Sequence, residues 1–316
     1  MEKNKAYSRS FEKYSNRIID QAKLALEDDV GIGDITTQAV IENKSRIEDA
    51  IIIAKDNGII CGLQESKAIL EEGGLEFKSE KKEGDTIRRG ETIVKIRGDV
   101  REILKRERTA LNYLQILSGI ATATYKLAKR YPGKISGLRK THPGLCYSEK
   151  RAVKTGGGHT HRLGLYDGFL IKDNHLATII REIFRNEPIT EEKKIEAIKT
   201  ALKRAKKYRI DNRFENYFIE VEVESLKQAV AAAKFYKEEQ VPDMILLDNM
   251  KPQDVEKCVE AIRNEADMEI LIEASGGITA KNIAAYINTG VDMVSTSKII
   301  IAAKPIDISM KIIGYK

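Results

Sequence analysis

The sequence predicts an α/β protein in which a small α+β domain precedes a closed or nearly closed α/β barrel. The first observation is a series of short β-type runs, separated by turn residues, between about residues 47 and 99. The second is a set of six apolar runs from residue 134 onward, each ending in a polar or charged residue. Helical segments separate the later runs. Strands that alternate with helices are joined by crossovers and therefore run parallel.

The N-terminal part begins with an amphipathic helix over residues 10–27, where apolar residues recur at helical spacing. A turn-like stretch over residues 28–37 follows. The β-type runs are Ala50–Ala54, Gly58–Gly62 and Thr92–Ile96. A helix over Leu63–Glu72 lies among these runs. A long helical region over Arg101–Arg130 comes next, and Gly119 interrupts its apolar pattern at modest cost.

The barrel is predicted from six strands. They lie at residues 135–140, 168–173, 218–224, 244–249, 269–275 and 291–297. In such a barrel the chemistry belongs to side chains at the carboxyl ends of the strands. The residues there are Arg139, Lys140, Lys172, Glu222, Asp248, Ser275 and Ser297. This set is too polar for a face that only stabilises the fold. The charged stretch 181–212 is interpreted as a mostly solvated helix without direct function.

Composition narrows the class of protein. Over 316 residues, 42% are hydrophobic, which is adequate for a real core. The net charge of +6 is mild and mixed in sign, so a small-ligand anion site explains it better than nucleic-acid binding. The three cysteines form no C-x-x-C pair, which favours a reducing cytoplasm. The sequence contains no apolar leader and no membrane-spanning stretch, so no membrane partner is expected.

All four histidines fall within one 34-residue window, beside the glycine run 156–158. They are His142, His159, His161 and His175. A single buried histidine is usually structural, but four beside three glycines favour a binding site. Zinc is the alternative. The pair His159 and His161 has no cysteine nearby, and Arg162 would repel a cation.

The basic residues indicate an anionic ligand. Arg139 and Arg162 can each bind a carboxylate through two hydrogen bonds, while Lys140 and Lys172 act as point charges for phosphate or carboxylate. Ordinary salt bridges to acidic residues are the alternative. These four residues, however, follow strands or glycines, where side chains converge on the mouth of a barrel.

Two acidic residues at neighbouring strand ends suggest a cation. The carboxylates of Glu222 and Asp248 can meet over the mouth, and such a pair suits Mg²⁺ bound together with substrate phosphates. A glycosidase pair would need an acid with a raised pKa, whereas the surrounding positive charge favours ionised carboxylates. Glu220 and Glu224 lie on the same side of the strand as Glu222, so the pattern leaves open which of the three matters most.

A glycine turn follows the fifth predicted strand. Ser275-Gly276-Gly277 precedes a helix predicted to begin near Thr279, and a helix N-terminus presents free N–H groups to phosphate. Strand–helix turns often contain two glycines, so this signal is moderate. The pair Gly31 and Gly33 is a weaker signal because it does not join a strand to a helix.

These motifs together resemble the quinolinate phosphoribosyltransferase family, also called carboxylating nicotinate-nucleotide pyrophosphorylases. The similarity extends from Asp28 to Ile312, and the motifs occur in the family's order. They are DVGIGDITT at 29–37, ERTALNYLQILSGIAT at 107–122, RKTHPGL at 139–145, GGGHTHRLGLYD at 156–167, LIKDNH at 170–175, EVEVES at 220–225, LLDNM at 246–250 and EASGGIT at 273–279.

The resemblance implies an N-terminal α+β sandwich domain over residues 1–111 and an incomplete, TIM-like α/β barrel over 112–316. The C-terminal tail is then able to return to the N-terminal domain. It also implies a homodimer, or a higher assembly of dimers. The implied reaction joins quinolinate to phosphoribosyl pyrophosphate, with Mg²⁺, and yields nicotinate mononucleotide, pyrophosphate and CO₂ for NAD biosynthesis.

The resemblance also assigns roles to individual residues. The residues that correspond to the ligands of the pyridine dicarboxylate are Arg139, His161, Arg162 and Lys172. Arg108 resembles an arginine that reaches this site from the partner subunit. Lys140, Glu222 and Asp248 would serve phosphoribosyl pyrophosphate and its Mg²⁺. The residues implied to hold the 5′-phosphate are Ser275, Gly276 and Gly277, with Ser297 as a neighbour.

Three features depart from the family pattern. Leu138 stands where a threonine usually precedes the Arg-Lys pair, Ser297 stands where many members have glycine, and the segment 181–212 is longer than usual. A related enzyme acting on another acidic ring, such as nicotinate, is therefore the nearest alternative. A Schiff-base aldolase using Lys172 and a non-catalytic scaffold or nucleic-acid-binding protein are the others.

Overall fold

The computed structural model describes residues 11–42, 46–185, 187–266 and 270–313. Their contacts form two compact units that are interleaved along the chain. The parallel unit comprises Gly133–Arg139 and His161–Lys298, and the antiparallel unit comprises 11–132, Lys140–Thr160 and 299–313. The predicted boundary between residues 111 and 112 falls inside a long helix of the antiparallel unit.

The described helices and strands follow in chain order. The helices are α1 (Ser15–Val30), α2 (Ile35–Val40), α3 (Leu63–Glu71), α4 (Val100–Arg130), α5 (Cys146–Thr155), α6 (Asp173–Phe184), α7 (Glu191–Asp211), α8 (Leu226–Glu239), α9 (Pro252–Ala266), α10 (Ile283–Ile287) and α11 (Lys298–Ile301). The strands are β1 (Ile47–Ala54), β2 (Gly58–Ile59), β3 (Glu76–Ser79), β4 (Thr86–Ile87), β5 (Thr92–Asp99), β6 (Ile135–Ser136), β7 (Phe169–Ile171), β8 (Ile219–Val223), β9 (Met244–Asp248), β10 (Leu271–Ser275), β11 (Met293–Ser295) and β12 (Ile308–Ile313).

The antiparallel unit is built on a four-stranded sheet with the order β12–β1–β5–β3. In β1 the residues alternate between buried and more exposed, with Ala50, Ile52 and Ala54 turned into the core. Such alternation is typical of a strand with one face packed against helices. The predicted α+β character of this part is confirmed. Its first predicted helix begins at residue 10, which lies outside the described residues, and α1 starts at Ser15.

Helix α4 confirms the long helix predicted over residues 101–130. Gly119 has a specific role in it. A Cβ atom at this position would lie 2.3 Å from the carbonyl oxygen of Lys304 and 3.0 Å from the Cα of Pro305. The glycine therefore lets the returning chain pass close to the helix, which explains a residue that weakens helices elsewhere.

The parallel unit contains all six strands predicted from residue 134 onward, in the order β6–β11–β10–β9–β8–β7. All five strand pairs are parallel. No pairing joins β6 to β7 within the described residues, so the barrel is incomplete, as the family resemblance implied. Glu269, the first residue of the fifth predicted run, lies outside the described residues, and β10 starts at Leu271.

The charged stretch 181–212 contains the end of α6 and all of α7. One face of α7 is buried through Ala197, Ile198, Ala201 and Leu202, and the remaining positions carry its charges. The predicted helix is therefore confirmed, and it also covers part of the parallel unit. Among the described residues, no helix is both long enough and apolar enough to cross a bilayer.

Candidate functional site

The carboxyl ends of the six parallel strands carry most of the predicted site residues. Asp248 and Ser275 are the last residues of β9 and β10 and lie opposite each other in the register. Lys172 directly follows β7, and Glu222 is the penultimate residue of β8. Arg139 and Ser297 lie a few residues beyond β6 and β11. Parallel strands end at one edge of a sheet, so these side chains share one end of the parallel unit.

Arg162 is the most buried basic residue at this end of the unit. Its side chain is 6% exposed, and its Nη1 donates to the carbonyl oxygen of Gly168 at 3.3 Å. Its Nε has no hydrogen-bond acceptor among the residues that the structure describes. Burial lowers the pKa of this guanidinium, and the nearby positive charge of Arg139 lowers it further. The carboxyls of Glu220 and Asp167 partly oppose the charge of Arg139, and an anionic ligand at this end of the unit would offset it further.

His161 precedes Arg162 and is 3% exposed. Its Nδ1 accepts a hydrogen bond from the backbone N–H of Arg162 at 2.7 Å. Its Nε2 lies 2.9 Å from an oxygen of Glu220 and 3.5 Å from an oxygen of Glu273. Both carboxylates are fully buried. Burial raises the pKa of the Glu220 carboxyl to about 8, and the positive charge of Arg162 opposes that rise.

Glu222 pairs with Lys172, whose Nζ lies 3.0 Å from Oε2 of Glu222. Burial raises the pKa of the Glu222 carboxyl, the hydrogen bond from Lys172 opposes the rise, and the charge of Asp248 adds to it. Glu222 and Asp248 are thus close enough to repel each other. Asp248 accepts a hydrogen bond from the side-chain amide of Asn249 at 2.5 Å. The two carboxylates provide the oxygen ligands that Mg²⁺ prefers.

The turn after β10 requires glycine at position 276, where Asn249 comes close, and leaves open space beside Gly277. Gly276 and Gly277 both have positive φ angles, +88° and +62°. A Cβ at Gly276 would lie 2.6 Å from the backbone nitrogen of Asn249, whereas a Cβ at Gly277 would meet nothing within 4 Å. The hydroxyl of Thr296 donates to the carbonyl of Ile278 at 2.7 Å, which brings the loop that carries Ser297 beside this turn.

The helix predicted to begin near Thr279 begins instead at Ile283 and is five residues long. The backbone N–H of Thr279 donates to the side chain of Asn282 at 2.7 Å, and residues 280–282 form turns. This local hydrogen bond competes with helix formation. The predicted start of this helix was therefore wrong by four residues, while the binding of phosphate by Ser275, Gly276 and Gly277 stays a prediction.

Two predicted site residues belong to the antiparallel unit. Arg108 lies exposed on α4, and Lys140 lies exposed at the start of the segment Lys140–Thr160. The four histidines have separate surroundings. His142 and His159 belong to the antiparallel unit, where Nδ1 of His142 lies 2.6 Å from Glu149. His175 accepts a hydrogen bond from the backbone of Lys172 at the first turn of α6.

Glu273 is the residue at this site that the sequence did not indicate. It lies in β10, where its neighbours Ile272 and Ala274 are also buried. A glutamate inside a buried strand needs a partner. That rule is the only signal in the sequence that could have singled it out. His161, Glu220 and Glu273 are also the one set of side chains in the described part of the chain whose ligand atoms cluster closely enough to hold a metal ion.

Comparison with known proteins agrees with this arrangement. Residues 34–118 match the model of the N-terminal domain of quinolinate phosphoribosyl transferase, and residues 120–311 match that of its C-terminal domain. The chain belongs to the quinolinate phosphoribosyl transferase family. Its fold, a small mixed α/β domain with a barrel-like domain of parallel strands, is that of the solved family structures.

Individual relatives cover nearly the whole chain. A probable nicotinate-nucleotide pyrophosphorylase (carboxylating) of Methanothermobacter thermautotrophicus is 35% identical, covering 95% of this chain and 100% of the relative. A mitochondrial quinolinate phosphoribosyltransferase (decarboxylating) of Nicotiana tabacum is 32% identical, covering 92% of this chain and 80% of its own. The structure of the nicotinate-nucleotide pyrophosphorylase from Francisella tularensis is similar with a TM-score of 0.78, 30% identity, and coverage of 94% and 96% of the two chains.

Proposed function

We propose that this enzyme transfers the phosphoribosyl group of phosphoribosyl pyrophosphate to the ring nitrogen of quinolinate. The products are nicotinate mononucleotide, pyrophosphate and CO₂. The observation that carries the proposal is the buried guanidinium of Arg162, whose Nε has no acceptor in the described structure and whose pKa is lowered by burial and by the charge of Arg139. A ligand with two adjacent carboxylates would satisfy both arginines.

The first step exchanges one bond for another at the anomeric carbon of the ribose. The ring nitrogen forms a bond to that carbon while the bond to the pyrophosphate oxygen breaks, and the pyrophosphate takes the electron pair. Positive charge builds on the ribose as the leaving group departs. Glu222 and Asp248 are proposed to stabilise it, and Lys140 is proposed to neutralise the pyrophosphate.

The second step releases CO₂ from the carboxylate next to the ring nitrogen. The electron pair of the broken carbon–carbon bond stays on the ring carbon, where the adjacent positive nitrogen stabilises it, and that carbon then takes up a proton. The ring nitrogen, which becomes positively charged when it is glycosylated, therefore stabilises the electron pair that decarboxylation leaves behind. We therefore propose that this step uses no separate cofactor.

A magnesium ion fits the acidic side of the site. Glu222 and Asp248 offer carboxylate oxygens. Burial and the charge of Asp248 raise the pKa of Glu222, and a bound cation would stabilise its ionised form. These two residues would hold the ion, which supplies neutralisation of the pyrophosphate charge. Ser275, Gly276 and Gly277, with Ser297 beside them, are proposed to bind the 5′-phosphate.

The remaining proposals concern partners and compartment. Arg139, His161, Arg162 and Lys172 are proposed to hold the dicarboxylate, and Arg108 is proposed to complete that site in a second copy of the chain. The enzyme would then be a homodimer, or an assembly of dimers, in the cytoplasm. It would need neither nucleic acid nor a membrane.

The test is a product assay with quinolinate, phosphoribosyl pyrophosphate and Mg²⁺, followed by chromatography of the nucleotide and detection of CO₂. Nicotinate serves as the comparison acceptor because Leu138 replaces a hydroxyl beside Arg139. We expect equal amounts of nicotinate mononucleotide and CO₂ from quinolinate. Turnover of nicotinate without turnover of quinolinate would overturn the proposed substrate, and activity that survives chelation of Mg²⁺ would overturn the proposed ion.

A further inference from the structure

Two neighbouring charged residues of α5, Glu149 and Lys150, are fully buried, although the proposed reaction steps do not use them. Both residues are 0% exposed. Charged side chains are rarely buried without polar partners, because burial removes their hydration. Glu149 contacts the segment that precedes α5, and Lys150 contacts the segment that follows it. Both segments carry residues of the proposed site.

Glu149 binds the turn before α5 through both of its carboxylate oxygens. Oε2 accepts a hydrogen bond from the backbone N–H of His142 at 2.9 Å, and Oε1 lies 2.6 Å from Nδ1 of the same residue. Because a carboxylate oxygen only accepts, Nδ1 is the donor. The carbonyl oxygen of His142 accepts from the N–H of Leu145 at 3.1 Å, which closes the turn. Glu149 therefore fixes the backbone two residues after Lys140, the residue proposed to neutralise the pyrophosphate.

Lys150 binds the chain after α5 through its ammonium group. Its Nζ donates to the carbonyl oxygen of Thr160, a residue that is also 0% exposed and lies outside any helix or strand. A buried carbonyl outside regular secondary structure needs a hydrogen-bond donor. This carbonyl belongs to the peptide group that joins Thr160 to His161. Lys150 therefore fixes the chain directly before His161 and Arg162, two of the residues proposed to hold the dicarboxylate.

The two contacts thus lie beside residues with different proposed substrates. Adjacent positions on a helix face in different directions, so a single turn of α5 can hold two separate segments. A binding side chain displaced by about 1 Å can reduce a rate on the order of a hundredfold. Loss of one contact should therefore weaken one substrate, whereas general loosening of the fold would weaken both.

We propose that Glu149 and Lys150 are positioning residues with separate tasks. Glu149 orients Lys140 for phosphoribosyl pyrophosphate. Lys150 orients His161 and Arg162 for quinolinate. The kinetic consequence rests on the proposed function, whereas the two hydrogen-bonded contacts do not depend on any substrate.

The kinetic test compares Glu149→Leu and Lys150→Met, each of which removes a buried charge and keeps a side chain of similar size. The KM for each substrate is measured at a saturating concentration of the other. We expect Glu149→Leu to raise the KM for phosphoribosyl pyrophosphate about tenfold or more, and Lys150→Met to do the same to the KM for quinolinate. In each variant the other KM should stay within about threefold of the parent.

Two further variants serve as controls. Glu149→Gln keeps an oxygen that can accept from the N–H of His142 and an amide that can donate to Nδ1, so both KM values should stay within about threefold of the parent. Lys154→Met removes the charge of an exposed lysine on the same helix and should change neither KM. Equal changes of both KM values in Glu149→Leu or in Lys150→Met, or parent-like values there, would overturn the proposal.

Nuclear magnetic resonance of the parent protein tests the two contacts without substrate. With ¹⁵N-lysine and ¹³C-threonine labels, we expect an ammonium signal that persists at neutral pH and couples to a threonine carbonyl, because burial slows exchange with water. The backbone amide of His142 should exchange slowly, although its side chain is 53% exposed. Absence of the coupling, or fast exchange of this amide, would overturn the proposal even if neither variant folded. If the parent turned over no quinolinate, the proposed function would fail while these two measurements still decided the contacts.

Discussion

The glycine turn after β10 allows stability and substrate binding to be separated by two neighbouring substitutions. Gly276→Ala places a methyl group 2.3 Å from Oδ1 and 2.6 Å from the backbone nitrogen of Asn249. Gly277→Ala places the same group in open space. Both glycines have positive φ, so both variants bear a similar backbone cost of about 1–2 kcal/mol.

Only Gly276→Ala adds a steric conflict. Its methyl meets backbone, which cannot rotate away as a flexible side chain can, and relief of such overpacking costs about 1–3 kcal/mol. We expect Gly276→Ala to lose about 2–5 kcal/mol in total. At about 2–4 °C per kcal/mol for a unit of this size, this corresponds to a Tm lower by roughly 4–20 °C, against roughly 2–8 °C for Gly277→Ala. Differential scanning calorimetry measures both values.

Substrate binding, in contrast to stability, should be affected directly by Gly277→Ala. The methyl of Gly277→Ala occupies the space where we expect the 5′-phosphate, so the KM for phosphoribosyl pyrophosphate should rise about tenfold, which is about 1.4 kcal/mol of lost binding. The KM for quinolinate should change less than twofold. Gly277→Ala with a parent-like KM for phosphoribosyl pyrophosphate would refute the phosphate assignment. Equal Tm values for the two variants would refute the steric argument.

Three further predictions concern other parts of the chain. Arg162→Lys keeps the charge but loses the fork geometry, so the KM for quinolinate should rise at least about tenfold in initial-rate assays; an unchanged KM would contradict the dicarboxylate assignment. Arg151→Met leaves the fully buried Glu65 without its cation and should cost about 3–5 kcal/mol in urea unfolding, and a loss under about 1 kcal/mol would contradict this account. Burial raises the pKa of the Cys258 thiol to about 11, so only about 0.1% is thiolate at pH 8. A thiol reagent should therefore label the partly exposed Cys146 first, as mass spectrometry of the labelled peptides will show, and early labelling of Cys258 would contradict the burial argument.

The strand pattern of the parallel unit could be read from the sequence because each strand is short, apolar and followed by a polar residue. That pattern also placed Lys172, Asp248 and Ser275 at one end of the sheet. That Arg139 and Arg162 serve one anionic ligand is a prediction from the same reasoning, since both lie just beyond strand ends or glycines. Periodicity and strand direction are local properties, and they were sufficient to place Lys172, Asp248 and Ser275 at the ends of their strands.

Other features depend on contacts between distant segments. Glu273 could not be assigned a role because its partner, His161, is more than one hundred residues away in the chain. The helix predicted at Thr279 failed because the side chain of Asn282 satisfies the local backbone instead. The need for Gly119 came from the later passage of Lys304 beside α4. Each of these requires knowledge of which segments meet.

The pairing of β12 with β1 has a consequence for synthesis of the protein. β1 is complete once residue 54 has been made. The strand that pairs with one of its edges, β12, consists of Ile308–Ile313 and is made more than 250 residues later. Until that segment leaves the ribosome, β1 has an unpaired edge of backbone N–H and C=O groups, which is a template for association with other chains. Cotranslational folding of the antiparallel unit therefore cannot finish before residue 313 has been made, and a chain truncated before Ile308 would keep an open, aggregation-prone sheet edge.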